Sequence, residues 1–163
     1  MSRWRSPSPR SSPYITASGY RRLEQELKGL WERRAEVTRA LSAAAAEGDR
    51  SENAEYIYRK KELRGIDARI RYLQKRLPTL KVVDRVSDTA RVFFGARVTL
   101  EDEDGRGVSY RIVGADELDN EAGHISVDSP LARALLGKGV DEEITVETAQ
   151  GRREYLVVSV AYD

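Results

Sequence analysis

Apolar residues in the first half of the chain fall at Tyr20, Leu23, Leu27, Leu30, Val37, Leu41 and Ala44, and again at Leu63, Ile66, Ile70, Leu73, Leu77 and Leu80. This alternation of three and four is the seam of a coiled coil, a helix with one narrow apolar stripe. Only Arg34 breaks the first run, and both stretches are otherwise filled with Arg, Lys, Glu and Gln. Each seam is too narrow for a multilayer core, and only a short segment around residues 47–51 joins them, so the two helices are expected to pack on each other as an antiparallel hairpin. Gly48 suits the chain reversal, while Asp49 or Ser51 can accept a hydrogen bond from the free amides that open the second helix. At about 28 residues per helix and ~1.5 Å per residue, the hairpin extends on the order of 40 Å. Pro78 ends or kinks the second helix near Leu77.

Beyond Asp88 the pattern changes to short β-type segments at 92–100, 108–113, 144–148 and 155–160, with turns at 102–105 and 149–151. One short helix lies between them. Ser129 is its N-cap, Pro130 its first residue, Leu131, Leu135 and Leu136 its apolar face, and Gly137 its end. The fold class is α+β: an N-terminal antiparallel coiled-coil hairpin followed by a small β-sheet domain with one short helix. Residues 1–13, rich in Ser, Pro and Arg, have almost nothing to bury and are expected to be a disordered basic arm. The hairpin domain then covers 14–84, with an acidic tip near 48–55, and the sheet domain covers 85–163.

The net charge of +1 over 163 residues conceals an asymmetry of +3 in the arm, +5 in the hairpin domain and −7 in the sheet domain. A basic half suits phosphates and an acidic half suits a basic protein surface, and solubility alone also accounts for such a split. The chain has no cysteine, which excludes disulfides, thiolate metal sites and thiol nucleophiles. No apolar run approaches the roughly 20 residues that cross a bilayer, and the N-terminus lacks the apolar region of a signal peptide, so a cytoplasmic protein without membrane association is expected.

No self-sufficient active site is evident. His124 has no Cys or second His beside it, and there is no Gly-rich phosphate loop. Asp49 and Glu52, three residues apart across the loop and first turn, can point together from the far end of the hairpin, with Glu55 a further turn along. Carboxylates at a helix N-terminus also serve as caps and complement the macrodipole, and one can cap while another stays free.

The run Gly48-Asp49-Arg50-Ser51-Glu52-Asn53-Ala54-Glu55-Tyr56 resembles the tip signature of the Gre family of bacterial transcript-cleavage factors. Residues 15–20, 61–71, 80–84, 92–96 and 125–136 resemble the same family, so the likeness runs from Tyr14 to Tyr162. Phe93-Phe94-Gly95 and the Arg-rich second helix look more like the GreB branch than the GreA branch. The resemblance implies a hairpin that enters the secondary channel of RNA polymerase and a C-terminal domain, similar in fold to FK506-binding proteins, that docks at the rim. It implies a factor that stimulates the polymerase's own cleavage of backtracked RNA and is not itself an enzyme. Asp49 and Glu52, and more weakly Glu55, would help hold a Mg²⁺ shared with the polymerase active centre, with no cofactor bound by the free protein, which is expected to be a monomer. Carboxylates are the ligands Mg²⁺ prefers. By the same resemblance Lys60, Lys61, Arg64, Arg71 and Lys75 form a stripe beside the seam that meets the displaced 3′ segment of the nascent RNA, although a solvated flank with i to i+4 pairing uses the same residue types. The turn Asp128-Ser129-Pro130 matches the segment that touches polymerase, and helix capping explains its residues equally well. Two departures stand out: Ser18 occupies a position where the family often has an acid, and the Ser/Pro/Arg arm is an addition. Rival readings are a channel-binding inhibitor without cleavage stimulation, a peptidyl-prolyl isomerase or chaperone-like module, and a structural coiled-coil tether.

Overall fold

In the computed structural model, residues 11–47, 53–84 and 87–162 are described. The chain divides into a helical unit, Ser18–Leu80, and a sheet unit made of the residues up to Ala17 together with those from Lys81 on. The division falls a few residues inside the boundaries read from the pattern. The reason is a strand pair too short to announce itself: β1 (Tyr14–Ile15) runs parallel to β2 (Lys81–Val82), with Tyr14 opposite Lys81 and Ile15 opposite Val82.

The helical unit is built on α1 (Ala17–Ala45) and α2 (Ala54–Arg76). Seam positions Leu23, Val37 and Ala44 on α1, and Ile66, Ile70 and Leu73 on α2, are buried, as is Gly19 near the start of α1. Val37, Ile66 and Ile70 form a cluster with half-buried Leu27, Leu30 and Leu63 packed around it. The pairing is antiparallel, since Ala44 meets Asn53, Arg33 meets Glu62, and Glu26 meets Arg69. At the break in the α1 seam, the Arg34 Nε donates to Asp67 Oδ1 at 2.7 Å, so an ion pair between helices fills the place of an apolar contact. Pro78 does stop α2, which tightens at Leu77 into a 3-10 turn, Leu77–Thr79.

The cap of α2 is Asn53, not Asp49 or Ser51. Its side-chain oxygen accepts from Tyr56 N at 3.1 Å, and its amide Nδ2 donates to the Ala44 carbonyl at 2.8 Å, tying the end of α1 to the start of α2.

In the sheet unit, β3 (Arg97–Asp102), β4 (Gly107–Val113), β5 (His124–Ser126), β6 (Glu143–Thr148) and β7 (Gly151–Ala161) form one sheet in the order β5-β4-β3-β7-β6. All neighbours are antiparallel except β4 and β5. The β3 to β7 register shifts between Thr99, opposite Ser159, and Leu100, opposite Val157, so Val158 is the extra residue of a bulge. Val98, Leu100, Ile112, Ile144, Val146 and Val157 point from the strands to a core closed by Ala132 and Leu135 of α3 (Pro130–Leu135). That helix begins as read from the sequence, with Ser129 Oγ accepting from Ala132 N at 3.2 Å and Pro130 in the first turn, and Gly137 beyond its end has φ +82°. The expected strand at 92–100 is shorter. Gly95, at φ +88°, makes a turn in which Ala96 N donates to Phe93 O, and regular pairing starts only at Arg97. Among the described residues, no helix is long and apolar enough to cross a membrane.

Residues 11–13, placed by the sequence reading in the disordered arm, are held within the sheet unit. Ser12 donates from both its amide, at 2.9 Å, and its hydroxyl to the carboxylate of Asp128, and Pro13 O accepts from Lys81 N. Beyond them, the buried carboxylate of Glu117 accepts from Thr16 N at 2.7 Å, Thr16 Oγ1 at 2.5 Å and Gly114 N at 3.2 Å. Gly114 must stay glycine, because a Cβ there would lie 2.0 Å from the Tyr14 carbonyl oxygen.

Two stability effects follow. Glu117→Ala removes the buried carboxylate that accepts from Thr16 and Gly114 and is expected to cost about 2–3 kcal/mol in urea denaturation. Asn53→Ala removes the cap of α2 and is expected to cost about 1 kcal/mol, with a matching loss of helical circular dichroism on warming. Unchanged midpoints would show that neither contact holds its element in place.

Candidate functional site: the basic face and tip of the hairpin

Two sets of cations stand out in the helical unit. Arg33, Arg34, Arg59 and Arg69 are each paired with a carboxylate: Arg33 with Glu36 and Glu62, Arg34 with Asp67, Arg59 with Glu55 and Glu62, and Arg69 with Glu26. Hydrogen bonding from Arg33 holds the Glu62 carboxyl below its ordinary range, with Arg59 adding to the effect. Hydrogen bonding raises the guanidinium groups in turn, at Arg33 from Glu62 first and at Arg59 from Glu55 first. Glu62 therefore stays ionised throughout the neutral range, and the charge of these arginines is neutralised within the protein.

Lys60, Lys61, Arg64, Arg71 and Lys75 are different. All five are exposed, and none has a carboxylate partner among the described residues. At 3.6 residues per turn they fall within an arc of about 100° of α2. Lys60 and Arg71 lie on the edge nearer the seam, and Arg64, Lys75 and Lys61 extend onto the outer face. The five residues thus carry charge that no carboxylate among the described residues neutralises, and they share one face of α2. Aromatic rings lie alongside it: Tyr56 has the Lys60 Nζ at 5.7 Å, and exposed Tyr58 and Tyr72 are covered by the guanidinium groups of Arg59 at 5.5 Å and Arg69 at 5.3 Å.

Asp49 and Glu52 lie outside the described residues, as do Gly48, Arg50 and Ser51. The two helix ends that this segment joins are bound to each other through Asn53 and Ala44. Glu55, in the first turn of α2, is exposed, and its Oε1 accepts from Arg59 Nε at 2.8 Å. Among the described residues, no three His, Cys, Asp or Glu side chains converge.

Asp128, Ser129 and Pro130 each have structural work in the sheet unit: Asp128 receives Ser12, Ser129 caps α3, and Pro130 opens it while remaining exposed. His124 Nδ1 lies 3.1 Å from the Glu117 carbonyl oxygen, a structural contact. The sequence reading missed Asn53, whose residue type was a sufficient signal for a cap. It also missed Glu117, whose partner Thr16 is 101 residues away and leaves no local trace.

The comparisons with known proteins agree across the chain. A family model described as "Transcription elongation factor, N-terminal" matches residues 13–82, and one described as "Transcription elongation factor, GreA/GreB, C-term" matches 87–162. A Pseudomonas aeruginosa protein named transcription elongation factor GreB is 58% identical over 99% of this chain and 98% of its own length. A protein of the same name from Xanthomonas axonopodis pv. citri is also 58% identical, with the same coverage. Among solved structures, GreA factor homolog 1 (Gfh1) of Thermus thermophilus is 30% identical, matched over 91% of this chain and 97% of its own, at a TM-score of 0.42. The two models account for nearly every residue from 13 to 162, and the chain belongs to the GreA/GreB family of transcription elongation factors.

Proposed function

We propose that this chain is a transcription elongation factor that inserts its helical hairpin into the secondary channel of RNA polymerase and stimulates the polymerase's intrinsic cleavage of backtracked nascent RNA. The observation that carries the proposal is the division of charge on the hairpin: the cations on its inter-helix flanks are neutralised internally, and the five on the free face of α2 are not. A polyanion held along that face is the partner such a stripe suits, and the displaced RNA 3′ segment supplies one. The family membership supports the polymerase as the protein partner.

Asp49 and Glu52 are the residues that would hold a Mg²⁺ shared with the polymerase active centre. Their donor set is right for that ion, and Asn53 caps α2, so neither is needed as its N-cap. Such an ion supplies charge stabilisation and an oriented water for phosphodiester hydrolysis. Glu55 is the weaker candidate because its carboxylate is engaged by Arg59. Asp128, Ser129 and Pro130 would contribute to docking through the exposed turn that Pro130 opens, with Asp128 kept in place by Ser12. The factor supplies ligands and positioning, and the catalytic centre is the polymerase's.

The deciding experiment is 3′ cleavage in a stalled, backtracked elongation complex with Mg²⁺. Wild type is expected to accelerate cleavage strongly. Asp49→Asn and Glu52→Gln should still bind polymerase and lose at least 10-fold of that acceleration, about 1.4 kcal/mol of barrier. If wild type binds without accelerating, the protein is a channel blocker. For the stripe, Arg64→Ala and Lys75→Ala should each weaken binding to single-stranded RNA and flatten the dependence of log affinity on log salt by about 0.7 for each phosphate that is no longer neutralised. An unchanged slope would remove these residues from the RNA interface.

A further inference from the structure

An open groove of about 400 Å³ runs along one flank of the helical unit, lined by Trp31 and Arg34 of α1 and by Asp67, Ile70, Arg71 and Gln74 of α2. Trp31 sits off the seam with 47% of its surface exposed. One exposed tryptophan is ordinary on a protein surface. The cations around this one set it apart. The Arg34 guanidinium lies 6.0 Å from the ring centroid and is locked there by Asp67. Arg71, on the opposite wall, has no carboxylate partner among the described residues, and neither has exposed Lys28, one turn before Trp31 on α1. Arg71 also belongs to the basic stripe, so the track of free charge on α2 leads directly to the indole.

We propose that Trp31 is a stacking platform for an unpaired base of single-stranded RNA, whose flanking phosphates are held by Arg71 and Lys28. The inference rests on the RNA-contact reading of the stripe and adds a base-recognition site to it. Single-stranded RNA satisfies both halves of the groove at once, because its phosphates match the free cations and its exposed bases offer flat π-faces to the ring. Duplex RNA offers only the phosphates, since its bases are stacked on each other. An apolar protein segment would fit the ring but leave Arg71 and Lys28 without anions. Stacking of this kind tolerates every base, so the site senses whether RNA is single-stranded, not its sequence.

The chain has two tryptophans, so Trp4→Phe makes Trp31 the sole indole fluorophore of the full-length protein. At low salt, a ten-nucleotide oligoadenylate is expected to quench Trp31 fluorescence and to bind about 5-fold or more tighter than an abasic ribose-phosphate oligomer of equal length. Trp31→Ala should lose that preference and bind both oligomers alike, whereas Trp31→Phe, which keeps an aromatic face, should retain most of it. Arg71→Ala should weaken both oligomers. If fluorescence does not change and Trp31→Ala binds oligoadenylate as well as its parent, while Arg64→Ala still weakens it, the stacking site is wrong and the stripe stands. If the parent binds neither oligomer, the RNA-contact reading fails and takes this inference with it. If Trp31→Ala leaves RNA affinity intact but weakens binding to RNA polymerase free of RNA, the indole is a protein contact and the inference is overturned.

Discussion

The buried carboxylate of Glu117 fixes the point at which the chain leaves the sheet unit for α1, and much of the architecture depends on it. The helical unit is an insertion between β1 and β2, strands of two residues each that pair in parallel. Parallel neighbours always need a crossover, and here the crossover is the whole pair of helices. An isolated pair of such short strands has little stability of its own. Glu117 compensates by taking both the amide and the hydroxyl of Thr16, and Gly114 allows the backbone of Tyr14 to come closer than any side chain would permit. Ser12 on Asp128 extends the same anchoring one residue before Pro13. The entry and exit of the hairpin are thereby held side by side, although 65 positions of sequence separate Thr16 from Lys81.

Within the helical unit the seam is too narrow to decide everything. Ion pairs on its flanks are partly exposed, and each contributes only about 0–1 kcal/mol to stability. Their larger effect is on where charge remains. Glu26, Glu62 and Asp67 pair with arginines of the opposite helix, and this consumes positive charge wherever the helices face each other. On α2, the five cations without a carboxylate partner among the described residues lie on one side of the helix. A stripe formed this way is a surface of one sign on an element whose other sides are neutral, which gives a polyanion a defined face to follow, with salt-sensitive attraction.

What the sequence disclosed follows the range of the interactions involved. The coiled-coil seam, the stop at Pro78 and the capped start of α3 at Ser129 and Pro130 all depend on residues within a turn or two, and all are found where the pattern put them. The strands β1, β2 and β5 were not legible, because two or three residues pair only with partners supplied from elsewhere in the chain. The pattern at 92–100 suggested one strand, and the left-handed turn at Gly95 divides it. For the site, the five basic residues were singled out by their place beside the seam together with the family resemblance. Whether each was free or paired was illegible, because Glu62 and Asp67 on the same helix could have neutralised them. Those acids instead turn toward the arginines of α1 and Arg59.

The same pairing pattern engages Glu55, the acid of the tip that lies among the described residues. Arg59 bridges Glu55 to Glu62, Glu62 binds Arg33, and Arg33 binds Glu36, a continuous chain of charge from the first turn of α2 across to α1. Its three carboxylates and two guanidinium groups leave one negative charge in excess, and the most exposed links are at its ends. A metal that drew Glu55 away would leave Arg59 with Glu62 alone, so recruiting this carboxylate has an internal cost even though no buried charge is stranded. Asp49 and Glu52 stand before the cap, in the segment that joins two helix ends already bound to each other by Asn53. On the proposed mechanism, that bond holds the frame of the loop steady without using a carboxylate, and Glu55 serves the frame while Asp49 and Glu52 serve the ion.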